Sequence, residues 1–422
     1  VSQPVSRPLA TAGAVALTAL FLGVTAWLFV LYPGVLVGGV ANPDPKGHVD
    51  FETFWRSTVA LLHGADTYHT GSVLPNLNPP FLTLLLAPFG LVPALPSYWA
   101  FSALTVLLVT VSVLLVAREL RLGPAAAAFG VLTLWASSPL HGTLLLGQIY
   151  GLLLAGLTAA WLAGRRGRPL LSAVLLGIVV AIKPSLAPLV LIPLVTRNWR
   201  ALWSGIGAAG GASILGVLVA GPSSALTWLR LATGTPAPEF DANASLPGLL
   251  ARLHAPGFLG WVATVVIVAA TLWLAGRPAS RRFRQRESVL SAHRVGGFGT
   301  PDRRTPGEVT GADAVIFAVA AGCLLAAPIA WLNYVIMLWP GALILLRAGR
   351  WRTAVPLLVV QVIPVAWGNL WQAAPHTPEA VAGRSLYCLV LTAFWAALLA
   401  FCLTDRAPEP SRDARREAYA GV

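Results

Sequence analysis

The sequence predicts an all-α integral membrane protein with about 12 transmembrane helices. Three observations carry that expectation. Of 422 residues, 56% are hydrophobic and only 11% are charged, whereas soluble domains carry about 25% charged residues. The apolar residues fall in runs close to the roughly 20 residues that a bilayer crossing needs. The basic residues stand in short clusters between those runs, as in the cytoplasmic loops of multispanning proteins. The net charge of +13 would by itself suggest nucleic acid as a partner, but this distribution argues against it.

In chain order, spans are expected near 10–32, 97–117, 124–140, 144–163, 169–182, 184–196, 201–220, 257–275, 312–329, 331–347, 353–371 and 386–403. The first reads as a retained span rather than a removed signal peptide, because no small-residue cleavage site followed by a soluble domain comes after it. The pair 169–182 and 184–196 is short and meets at "IKPS", which reads as broken or tilted helices. The segment 80–95, "PFLTLLLAPFGLVPAL", is bounded by Pro and too short to span. It reads as a re-entrant or interfacial element. The whole of 1–422 is expected to be one polytopic membrane domain.

Charge sets the orientation. With the N-terminus in the cytoplasm, only Lys46, Arg56, Lys183, Arg230, Arg252 and Arg384 of the 29 basic residues fall outside. That bias follows the positive-inside rule. It places 33–96 and 221–256 outside, and the Arg-rich loop 276–311 and the tail 404–422 inside. The loop 276–311 reads as a disordered topology anchor that can rest on anionic lipid. Arg far outnumbers Lys, and Ala and Gly are abundant, which points to a GC-rich bacterial genome and hence to a bacterial plasma membrane.

The first outer loop holds "GHVDFETFWRSTVALLHGADTY". Phe51, Phe54, Trp55, Thr58, Val59 and Leu62 follow helical spacing and make one apolar face. Glu52 and Arg56 lie four apart on the other side and can pair. Gly64 suits the end of such a helix. The result is a short amphipathic helix on the outer membrane surface. Asp50 falls at the N-cap position, and two readings stay open: a structural cap, or a general base held ionised at the mouth of a bundle. Glu52 sits about 200° around from Asp50 and cannot aim at the same point. Asp66 reads first as a turn residue.

Polar residues at membrane depth are costly and therefore candidates for function. They are Gln148 and Tyr150, Lys183, Asn333 and Tyr334, and Gln361, Asn369 and Gln372. The plainer alternatives are interhelical hydrogen bonds for the amides and snorkelling for Lys183. In the second outer loop, Asn243-Ala244-Ser245 fits a glycosylation sequon, which a bacterial origin makes irrelevant. Arg252, on a short helix, can bind a phosphate or a lipid headgroup. Cys323, Cys388 and Cys402 lie in apolar runs, without disulfide or metal spacing.

Taken in order, these pieces resemble glycosyltransferase family 87, polyprenol-phosphate-sugar-dependent membrane enzymes of the C-type fold known from actinobacterial cell-envelope synthesis. The matching pieces are Asp50 in "HVDFETFW", "LLHGADTY" with Asp66 and Tyr68, "NPPFLTLLLAPFGLVP" and "LLGQIYGLLLAGL". They continue with "GIVVAIKPSLAPLVLIPLVTRNWRAL", "NASLPGLLARL" and "AAPIAWLNYVIMLWPGALIL". One departure concerns the late element, where many relatives have a His pair after the Trp and this chain has Asn333 and Tyr334.

The resemblance implies a sugar donor on a polyprenyl phosphate and a glycolipid or glycan acceptor, met on the outer face. It implies Asp50 as the base of a one-step inverting transfer, with Lys183 and Arg252 holding the donor phosphate. Asp66, Tyr68, Gln148, Tyr150, Asn333 and Tyr334 become substrate-binding candidates. A lipid-linked donor needs no nucleotide motif, and no acidic cluster suggests a metal, so no cofactor is expected. Mannose is the first expectation for the sugar and arabinofuranose the second. The competing class is a lipid or sugar transporter, against which stands the lack of a matching second broken helix.

Overall fold

The computed structural model describes residues 48–234, 237–240, 242–292, 307–362 and 378–404. The expected span at 10–32, the end of the expected span at 353–371, the core of the basic loop and the tail lie outside them. So do Lys46, Asn369 and Gln372. The described chain is helical, with a single isolated bridge, between Asn243 and Trp331, as its only extended pairing.

The helices are α1 (Val49–Leu62), α2 (Pro80–Leu86), α3 (Ala94–Glu119), α4 (Pro124–Trp135), α5 (Ser138–Leu146) and α6 (Tyr150–Arg165). They continue with α7 (Pro169–Ile182), α8 (Ile192–Val195), α9 (Trp199–Ala220), α10 (Pro222–Gly234) and α11 (Leu246–Arg252). The last are α12 (Gly257–Ala292), α13 (Gly311–Ala326), α14 (Trp339–Arg347), α15 (Trp351–Val359) and α16 (Pro378–Thr404). Tighter 3₁₀ turns cover Ala87–Leu91, Pro184–Leu191, Leu332–Leu338 and Val360–Val362.

Among the described residues four helical stretches are long and apolar enough to cross a membrane: Ala94–Glu119, Trp199–Ala220, Gly257–Ala275 and Ser385–Thr404. The expected span at 124–140 is instead α4 and α5, bent by 46° at Ala136 and Ser137. Ser137 caps the new helix by accepting the amide of Leu140 at 3.3 Å, which is why the chain restarts there. The remaining apolar helices of the described residues are shorter, 10–17 residues, and with the bent pair taken as one span the described residues hold up to five full-length crossings. The expected disorder from 276 is also corrected, because α12 runs on to Ala292. Arg, Gln and Leu there are good helix formers.

Helix α13 is the centre of the bundle, buried along nearly its whole length. The 3₁₀ turn after it, Leu332–Leu338, is buried at every residue. Ala and Gly dominate α13 and let its neighbours α12 and α16 approach closely. By contrast α9 and α12 leave Ile214, Leu218, Trp261 and Val265 exposed, as helices that face lipid do.

Candidate active site

The site begins with a turn. Helix α5 ends at Gly147, whose φ of 69° favours glycine. A side chain there would also collide with Phe51. This close approach seats the first turn of α1 on the link between α5 and α6. It brings Gln148 under Asp50, and the Gln148 amide hydrogen-bonds the Asp50 carboxyl.

Asp50 is not the N-cap that the sequence suggested. His48 holds that position, and Asp50 lies in the first helical turn without a cap bond. Its carboxyl is fixed by Gln148 instead. Burial raises its pKa from 3.8 to about 6, while the Gln148 bond and the positive charge of Lys183 pull the other way. The face of α1 that packs inward is also rotated from the apolar one. Phe51, Phe54 and Thr58 are buried as expected, but so are Thr53 and Ser57, whereas Leu62 is exposed. The reason is hydrogen bonding: Thr53 donates to the Leu74 carbonyl at 3.3 Å and Ser57 to that of Thr67 at 2.8 Å. Glu52 pairs with Arg56 at 2.8 Å, as their spacing predicts.

Lys183 comes from the break between α7 and the following 3₁₀ turn. Pro184 disfavours helical geometry in the residue before it, and Lys183 takes φ −138°, ψ 88°. Its ammonium lies 5.4 Å from the centre of the Tyr334 ring, within cation–π range. Tyr334 in turn packs on Tyr150, with ring centroids 4.2 Å apart and a hydrogen bond between the two side chains. Tyr150 is within electrostatic reach of Asp50. The fold thus gathers Asp50, Gln148, Tyr150, Lys183 and Tyr334 from four separate parts of the chain.

The other candidates are placed differently. Asn333 packs against Gly142 of α5. Arg252 donates from Nη1 to the carbonyls of Phe240 and Asn243 at 2.9 and 3.0 Å. Asp66 accepts the amides of Tyr68 and His69 at 2.8 and 3.3 Å and the His69 ring at 2.8 Å. It is half exposed, and those bonds lower its pKa, His69 first. Tyr68 is buried and donates to the Asn78 carbonyl at 2.8 Å. Both therefore brace the loop. Two residues escaped the sequence reading. His48 stacks on Tyr98 at 4.9 Å, with its Nδ1 buried and without a hydrogen-bond partner. Tyr98 is anchored to the Leu144 carbonyl at 2.8 Å. The available signal was the position of His48 two residues before Asp50.

The family model described as glycosyltransferase family 87 matches residues 76–299, more than half the chain. The chain belongs to glycosyltransferase family 87. It is 36% identical over 161 residues to an alpha-(1->3)-arabinofuranosyltransferase of Mycobacterium tuberculosis. That match covers 36% of this chain and 37% of the relative, little more than a third of its length. A second relative is the polyprenol-phosphate-mannose-dependent alpha-(1-2)-phosphatidylinositol mannoside mannosyltransferase of Mycobacterium tuberculosis. It is 26% identical over 336 residues, covering 74% of this chain and 71% of that one. Among solved structures, ArnT from Cupriavidus metallidurans bound to undecaprenyl phosphate aligns over 93% of this chain and 78% of its own. The TM-score is 0.42 and the identity 16%.

Proposed function

We propose that this protein transfers a sugar from a polyprenyl-phosphate donor to a hydroxyl of a glycolipid or glycan acceptor, in one inverting step. The observation that carries the reading is Asp50: a half-buried carboxyl pushed to about 6, gripped by Gln148, with Lys183 in its field. A base with that value is ionised near neutral pH yet basic enough to take a proton.

The acceptor oxygen attacks the anomeric carbon as the bond from that carbon to the phosphate oxygen breaks. The acceptor proton passes to Asp50, and the electron pair leaves with the polyprenyl phosphate. Lys183 stabilises the charge that grows on the phosphate. Tyr150 and Tyr334 form the wall that orients the sugar, and Arg252 adds a second cation on the donor side. The reaction faces the outside of the plasma membrane, with α1 at the interface and both termini in the cytoplasm. Mannose is the leading donor sugar, supported by the longer similarity to a mannosyltransferase. Arabinofuranose is the second reading, supported by the higher identity over a shorter stretch.

The test is an assay in membranes with radiolabelled polyprenyl-phosphate mannose and polyprenyl-phosphate arabinose, using wild type and Asp50→Asn. Removing the base is expected to slow transfer by about 10²–10⁴-fold. Transfer that survives Asp50→Asn rejects the base assignment. Failure of the wild type with both donors rejects the reading itself and favours a transporter.

A further inference from the structure

The sequon Asn243-Ala244-Ser245 has a structural use that its pattern hides. Asn243 is fully buried, and both ends of its amide are committed. Nδ2 donates to the carbonyls of Pro238 at 3.1 Å and Pro328 at 3.0 Å. Oδ1 accepts from the Ser245 hydroxyl at 2.9 Å, the Ser245 amide at 3.3 Å and the Ala330 amide at 3.0 Å. No room exists for more: a side chain on Gly248 would run into this amide.

The partners explain what the amide does. After α13 the chain runs through Pro328, Ile329, Ala330 and Trp331 before the 3₁₀ turn that carries Tyr334. Such a stretch has backbone groups that no helix satisfies, and buried ones must find partners. The second outer loop supplies them. Ala244 donates to the Ala330 carbonyl at 2.6 Å, Leu332 to the Ala242 carbonyl at 2.9 Å, and the Asn243 side chain bonds the Pro328 carbonyl and the Ala330 amide. The carbonyl of the same Asn243 accepts Arg252. The Ser245 hydroxyl also caps α11, the helix that carries Arg252, at the Gly248 amide. One buried residue therefore references two things at once: the turn that holds Tyr334 beneath Lys183, and the helix that presents Arg252.

We infer that Asn243 is a positioning residue for the donor half of the site, setting Arg252 and the Tyr334–Lys183 pair relative to each other. This rests on the donor role proposed above for the two cations. It also means that Asn243 is not a glycosylation acceptor, since its amide nitrogen is buried and used.

The test uses the full-length protein in detergent and compares wild type with Asn243→Ala. Donor KM is expected to rise at least about fivefold, while acceptor KM and the pH midpoint of the rate stay within twofold and a few tenths of a pH unit. Simple loss of folded enzyme would lower the apparent kcat and leave donor KM alone. Hydrogen exchange supplies a readout that needs no activity: the Ala330 amide is expected to exchange at least about tenfold faster in Asn243→Ala. An unchanged donor KM in an intact variant overturns the inference, and so does an Ala330 amide as protected as in wild type. Should Asn243→Ala not fold, Ser245→Ala removes the hydroxyl that bonds Asn243, Pro328 and the Gly248 amide, and is read in the same way. Wild type that transfers nothing from any lipid-phosphate donor sinks the proposed function, while the exchange measurement still decides whether Asn243 holds the segment.

Discussion

The two ends of α6 use similar ingredients to opposite effect. At its start, by Tyr150, a half-buried carboxylate and a nearby cation make no ion pair among the described residues: Asp50 is held by neutral Gln148, and Lys183 sits over an aromatic ring. At its end, about 22 Å away, Arg165 is wrapped completely. It meets Asp313 at 2.6 Å, Glu119 at 3.3 Å and the Glu308 carbonyl at 2.9 Å, and it lies 5.2 Å from the Trp161 ring. Asp313 is committed in turn, accepting the Thr310 amide at 2.8 Å and its hydroxyl at 3.2 Å in a capping box at the start of α13. A buried charge whose bonding capacity is filled by the protein serves the fold. One left with capacity to spare can serve a substrate.

The largest expected effect lies at the filled end. Arg165→Leu leaves the Asp313 and Glu119 carboxylates buried without their cation. Thermal or denaturant unfolding should register a loss of about 3–5 kcal/mol. A loss below about 1 kcal/mol would mean that the cluster is not the fold-bearing end.

The open end predicts the opposite sign. The folded-state pKa of Asp50, about 6, is above its ordinary 3.8. The stability that Asp50 contributes by holding its proton is present below about pH 4. It is lost as pH rises through 6, at a cost of up to about 3 kcal/mol. Asp50→Asn should therefore unfold at the same or a higher temperature than wild type at pH 7.5, while losing transfer. Destabilisation by this variant at that pH would remove the contrast between the ends.

The rate supplies the next, smaller effect. If Asp50 is the base, as proposed, transfer should fall as pH drops through about 6. Gln148 favours the ionised form, so Gln148→Leu should move that midpoint upward by roughly half a unit to one unit. A pH–rate profile of the two proteins reads it directly, and a downward shift contradicts the arrangement. The smallest effect is assigned to Asp66→Ala. This half-exposed turn residue should change stability by no more than about 0.5–1 kcal/mol and transfer by less than about twofold.

Much of the fold was legible because it depends on local pattern. Hydropathy alone located α3, α9 and the apolar parts of α12 and α16. Lys183-Pro184 announced its own break, and the Glu52–Arg56 pair and the Gly64 stop follow from spacing. What was illegible depends on partners far along the chain. Arg165 read as a loop charge that sets orientation, because its partner Asp313 lies 148 residues away. Asn243 read as an irrelevant sequon, because Ala330 lies 87 residues on. In α1 the period was right but the buried face was not. Hydropathy counts Thr53 and Ser57 as outward, and their hydroxyls find carbonyls inside. For the site, sequence marked Asp50, Gln148, Tyr150, Lys183 and Tyr334, and burial together with the Gly147 turn explains why those five converge while Asp66 and Tyr68 do not.

The packing of Tyr334 under Lys183 also bears on how the protein is made. Asp50, Gln148 and Lys183 leave the ribosome early, and Tyr334 follows 151 residues after Lys183. Through that interval the cation has no ring to rest on and the extended stretch after α13 does not yet exist. Asp50 and Lys183 are therefore synthesised well before Tyr334, which packs beside Lys183 in the folded chain. On the proposed mechanism, transfer becomes possible only once the segment that carries Tyr334 is in place.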